Sequence, residues 1–108
     1  MAVRSNAIYA IAASEDRRVS DRVDVAIWGR VRLRGTAHPL RICNISAGGF
    51  MAVTPASLPD YAEVDVEFPV IGWRSAMIAW TRGDQIGAEF EPPLNPDMLA
   101  RFLAFQAH

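Results

Sequence analysis

Lysine is absent from the 108 residues, histidine occurs twice and cysteine once. A lone Cys43 has no partner for a disulfide within the chain. With two histidines, one of them His108, no zinc site or cysteine–histidine catalytic pair can be assembled, so neither a bound metal nor an enzyme is expected. Cys43 reads as a small buried hydrophobe, and so sparse a use of cysteine suits a reducing compartment. Long apolar runs are missing too. The longest uncharged stretch, Ile42 to Pro59, contains Asn44, Ser46, Gly48, Gly49 and Pro55, which no membrane-spanning helix accommodates. The apolar run Ala7–Ala13 is too short for a secretory signal. Residues 1–14 are therefore read as a flexible lead-in to a cytoplasmic protein.

Eleven arginines face twelve acidic residues, a net charge of −1, so bulk nucleic-acid binding is not expected and any basic surface must be local. The hydrophobic share, 51%, is enough for one domain to bury a core without disulfides.

Apolar residues recur with period two through most of the chain, the mark of strands with one buried face. Val23, Val25, Ile27, Val31 and Leu33 share a face, opposite Asp24, Trp28, Arg30, Arg32 and Arg34, with Gly29 at a bend or bulge. Leu40–Ile45 and Phe50–Thr54 read as the next two strands, joined by Ser46-Ala47-Gly48-Gly49. Val64, Val66, Phe68 and Val70 alternate with Glu63, Asp65 and Glu67. Arg74–Trp80 and Ile86–Phe90 complete the set across a Thr81–Asp84 turn. Asn95 then caps a helix with Pro96 in its first turn and Met98, Leu99, Phe102, Leu103 and Phe105 on its apolar face. Six short antiparallel strands in so small a chain bury best as a closed or nearly closed barrel. Trp73, Trp80, Phe90, Phe102 and Phe105 are assigned to the core. Trp28 has three possible placements: over the barrel's open end, on the helix, or at a partner surface.

Two polar clusters stand out. Arg17, Arg18 and Arg22 could grip a nucleotide by bidentate phosphate contacts and stacking, or be neutralised by Glu15, Asp16 and Asp21. Asn44 and Ser46, followed by Gly48 and Gly49, could offer directional polar groups and close backbone approach, or simply build a hairpin turn. The charges of Glu63, Asp65 and Glu67 are read as solvated, or as cross-strand partners of Arg30, Arg32 and Arg34.

Taken jointly, Arg18-x-x-x-Arg22 and, after 21 intervening residues, Asn44-x-Ser46-x-x-Gly49 resemble the two-part signature of PilZ domains. Met77-Ile78-Ala79-Trp80 and Ile86-Gly87-Ala88-Glu89-Phe90 are similar to the end of the PilZ barrel. The resemblance implies a mainly β fold, a six-stranded antiparallel PilZ-type barrel with a C-terminal α-helix. It implies one PilZ domain over residues 15–108, with the barrel at about 22–91 and the helix at about 96–107. It also implies a non-catalytic receptor for cyclic di-GMP. Arg18 and Arg22 would engage phosphates and guanine, Arg17 would add a third contact, and Asn44, Ser46 and Gly49 would hold base and backbone. The arginine segment would close over the ligand, and the altered surface would regulate an effector protein in motility, exopolysaccharide or biofilm outputs. Such a receptor would act as a monomer or a ligand-dependent dimer. Two other readings stay open. One is a PilZ-like interaction module that binds no nucleotide. The other is a small barrel that holds single-stranded nucleic acid through Arg30, Arg32, Arg34 and Trp28.

Overall fold

A computed structural model describes residues 22–106. Six antiparallel strands follow one another: β1 (Val23–Leu33), β2 (Thr36–Ile45), β3 (Gly49–Val53), β4 (Glu63–Phe68), β5 (Gly72–Arg82) and β6 (Gln85–Phe90). They close into a barrel in the order β1-β2-β3-β6-β5-β4, and one helix, α1 (Pro96–Gln106), follows. The period-two pattern explains the closure. Ile27, Val31, Leu40, Ile42, Val66 and Ile78 all point inward and are buried, while their chain neighbours face out. A barrel of this size has no lumen to spare, so side chains fill it.

Aromatic rings close one end. Phe50, Phe68 and Phe90 meet with centroids 5.4–5.5 Å apart, and Phe102 of α1 sits edge-on to Phe68 at 5.7 Å. The helix is therefore the plug of the barrel. Its start is fixed as the sequence predicts: Asn95 Oδ1 accepts the Met98 N–H at 2.8 Å, satisfying a donor that the first helical turn leaves free.

Several sequence expectations shift in detail. β2 begins at Thr36 rather than Leu40, because Arg34 and Gly35 turn the chain with φ of 53° and 84°. Two successive positive φ values suit a two-residue hairpin between right-twisted strands, so Arg34 belongs to a turn and not to the strand face. Val70 does not continue β4. Pro69 ends that strand, and Val70 turns with φ 75° and lies exposed while Ile71 is buried. The β5–β6 turn is only Gly83-Asp84, leaving Thr81 and Arg82 in β5. Cys43 is half-buried rather than buried. Phe105 is exposed, on the outer side of α1. Trp73 and Trp80 are half-buried on the outer wall, not in the core.

Candidate functional site

The two halves of the motif pair are joined by one contact. Arg22, at the mouth of β1, donates from Nη1 to Asn44 Oδ1 at 3.0 Å. Asn44 reaches the outer wall because β2 bulges: Ile42 opposes Ala52 and Asn44 opposes Met51, so Cys43 is the extra residue. Without that bulge Asn44 would share the inward side of Ile42. Its amide nitrogen lies 4.0 Å from Met51 Sδ, which leaves most of its donor capacity toward solvent.

Ser46 does not share that side. It is buried, and its hydroxyl accepts the Gly49 N–H at 3.3 Å and lies 3.4 Å from the Gly49 carbonyl, while its own N–H donates to that carbonyl at 2.8 Å. Ser46 therefore locks the β2–β3 turn from within. Gly49 has a negative φ; what it lacks is room, because a methyl there would overlap the Ala88 carbonyl of β6. The carbonyls of Ala47 and Gly48 accept the N–H groups of Leu94 and Phe90 at 2.8 and 2.9 Å, which ties the turn to the chain leading into α1. Arg17 and Arg18 lie outside the described residues, as does the 1–14 segment.

Strand register extends the wall sideways from Asn44. Asn44 opposes Met51, Met51 opposes Gly87, and Gly87 opposes Trp80 across a second bulge between Ile78 and Trp80. A methyl on Gly87 would overlap the Trp80 indole, so the ring lies down over β6 where no side chain stands. Three strand spacings separate Asn44 from Trp80, roughly 14 Å. The guanidinium of Arg82 sits 5.5 Å from the Trp80 ring centre, adding a cation at that end. Sequence reasoning placed Trp80 in the core. The signal that could have found it is Gly87, a glycine in mid-strand, which marks close approach by another group.

On the opposite wall, Arg30 Nε meets Glu67 Oε1 at 2.7 Å and Arg32 Nη2 meets Asp65 Oδ2 at 3.4 Å. Both guanidiniums also lie over Trp73, at 5.5 and 4.2 Å. The hydrogen bond from Arg30 holds the Glu67 carboxyl below the usual glutamate range, with burial opposing it and the charges of Arg30 and Arg32 assisting. Arg30 is held up in turn by the same hydrogen bond and charge. These pairs spend the arginines that a nucleic-acid stripe would need. Glu63 and Arg34 do not join the ladder. Among the described residues no three metal-binding side chains converge, and no helix is long and apolar enough to cross a membrane.

Comparison with solved structures finds the same fold in two complexes. The Borreliella burgdorferi PlzA protein, crystallised with c-di-GMP, matches with a TM-score of 0.56 at 14% identity, over 89% of this chain and 38% of that one. This chain thus spans well under half of PlzA. The PilZ domain of YcgR from Escherichia coli, with c-di-GMP, matches with a TM-score of 0.56 at 13% identity, over 79% of this chain and 85% of that one. No curated protein matches the sequence. The PilZ domain family matches residues 16–105, nearly the whole barrel and helix together with both polar motifs, and the chain belongs to the PilZ domain family.

Proposed function

We propose that this domain is a receptor for cyclic di-GMP that regulates an effector protein and catalyses nothing itself. PilZ domains are non-catalytic and typically bind this ligand. The observation that carries the reading for this chain is the Arg22–Asn44 contact, which brings together motif halves 22 residues apart in sequence.

The chemistry follows from the parts. A guanidinium resting on a neutral amide loses little by turning to a phosphate, where charge-assisted bidentate bonds are about twice as strong. Released from Arg22, Asn44 Oδ1 becomes an acceptor for the N–H edge of a guanine. Arg18 lies four residues before Arg22, at most ~13 Å along the chain, and reaches a second phosphate or ring face; Arg17 adds a third cation. Trp80 offers a flat shelf for a base at the far end of the same row. Ser46 and Gly49 serve the ligand by holding the turn that presents Asn44. Closing the arginine segment over the dinucleotide would then present a changed surface to an effector in motility, exopolysaccharide or biofilm control.

Thermal unfolding with and without cyclic di-GMP, with GTP as control, tests this. Ligand at a hundredfold over its Kd stabilises the fold by ~2.7 kcal/mol, a rise on the order of ten degrees for a domain of this size. The rise should appear for wild type with the cyclic dinucleotide alone and shrink in Arg18→Ala, Arg22→Ala and Asn44→Ala. No shift at saturating ligand would favour the nucleotide-independent interaction module instead.

A further inference from the structure

Strand register lays out a grid on the outer face of β6. Its outward positions are Gln85, Gly87 and Glu89, since Ile86, Ala88 and Phe90 are buried and point inward. Gln85 lies between Val53 of β3 and Arg82 of β5, Gly87 between Met51 and Trp80, and Glu89 between Gly49 and Met77. Glu89 is the one carboxylate among these nine positions. It is exposed, on the same strand and face as Gly87, over which the Trp80 ring lies. Two residues of strand separate the pair, about 6.8 Å, a gap that a glutamate chain largely spans. Its carboxylate can therefore reach the rim of the Trp80 shelf.

A wall that receives a ligand with two phosphates gains nothing from a bare negative charge. What a carboxylate can take from cyclic di-GMP is a pair of donors. Guanine carries N1–H and its 2-amino group side by side on one edge, and a carboxylate, which only accepts, meets both with parallel charge-assisted bonds. Adenine presents an acceptor at N1 and is refused. Asn44 cannot serve a base lying on Trp80, because three strand spacings, roughly 14 Å, separate the two. A dinucleotide with two guanines thus needs a second reader at the Trp80 end.

We propose that Glu89 reads the Watson–Crick edge of the guanine stacked on Trp80 and makes that end of the wall selective for guanine. The assignment rests on the cyclic di-GMP reading and adds to it a residue that chooses the base. Asn44 then serves one guanine of the dinucleotide and Glu89 the other. Arg82, 5.5 Å from the Trp80 ring centre, supplies the positive charge that offsets the carboxylate beside an anionic ligand.

Calorimetric titration with cyclic di-GMP and with its inosine analogue, which lacks both 2-amino groups, tests this in wild type, Glu89→Gln and Asp84→Asn. The glutamine keeps one acceptor but turns a donor toward the guanine N1–H. Wild type should prefer cyclic di-GMP over the analogue by at least about tenfold, and Glu89→Gln should narrow that preference about tenfold by losing affinity for cyclic di-GMP. Asp84→Asn, which removes the same charge from the β5–β6 turn, should leave the preference as it is. The preference compares two ligands on one protein, so a partly unfolded variant does not mimic its loss. Equal or tighter binding of cyclic di-GMP by Glu89→Gln, with the preference intact, overturns the assignment and makes Glu89 a solvated charge. Parallel weakening of both ligands overturns it in favour of a contact to the sugar. A wild type that binds neither ligand overturns the receptor reading, and the base-reading role falls with it.

Discussion

Replacing Gly49 by alanine separates the two reasons a motif glycine can exist. The added methyl overlaps the Ala88 carbonyl oxygen and lies 3.2 Å from its carbon and 3.3 Å from Glu89 Cα, all backbone that cannot swing aside. Overpacking of this kind costs about 1–3 kcal/mol. Because Gly49 has a negative φ, alanine also returns about 0.4–1 kcal/mol by restricting the unfolded chain. The net loss is about 1–2 kcal/mol, a Tm fall of roughly 5–15 °C for a domain this small. Gly35→Ala is the matched control: its methyl meets nothing, but φ of 84° charges about 1 kcal/mol for strain alone. Urea unfolding gives both values, with an unchanged m confirming that only stability moved. If Gly49→Ala unfolds within 0.5 kcal/mol of wild type, on the order of an ordinary surface change, the β3–β6 seam has room. The glycine would then have to be explained by the ligand.

Three further outcomes follow from the same geometry. Asn95→Ala removes the oxygen that accepts the Met98 N–H and should cost about 1 kcal/mol in thermal unfolding, with Asn95→Asp close to neutral. Trp80→Ala should weaken cyclic di-GMP binding by ~1–3 kcal/mol in calorimetry, the worth of one base stacked on an aromatic ring, while Trp73→Ala leaves affinity unchanged. Glu67 is held below the usual glutamate range by the Arg30 hydrogen bond, so its stabilisation is complete above that range and is lost as pH falls through the lowered value. Urea midpoints near neutrality and in mild acid should therefore differ less in Glu67→Gln than in wild type. Molar salt should shrink the difference, because the pair is exposed.

The alternation of Val64, Val66 and Phe68 against Glu63, Asp65 and Glu67 made β4 legible, as the Asn95-Pro96 pair did for the start of α1. What alternation could not show was where the period slips. Bulges at Cys43 and between Ile78 and Trp80 turn Asn44 and Trp80 outward, against the count of two from their buried neighbours. A bulge depends on the facing strand, so a sequence read alone carries only its indirect trace, such as Gly87 opposite Trp80. The Arg34-Gly35 turn was hidden for a different reason: arginine at positive φ has no propensity signal, and the hairpin's twist imposes it. Of the candidate site, the direct hydrogen bond between Arg22 and Asn44 was not legible in the spacing, because it depends on the bulge that turns Asn44 outward. Ser46 reads identically in sequence whether it meets a ligand or caps a turn, and only burial distinguishes the two.

The β2–β3 turn holds the end of β6 and the chain beyond it by two carbonyls, that of Gly48 receiving Phe90 and that of Ala47 receiving Leu94. Any rearrangement of that turn must break those bonds or drag the stretch before α1 along with it. The plug helix is thus hinged on the same few atoms that present Asn44, with no intervening element to absorb the motion. A fluorophore at Ala104, exposed on α1, would convert this hinge into a gauge of motif occupancy that needs no label near the ligand.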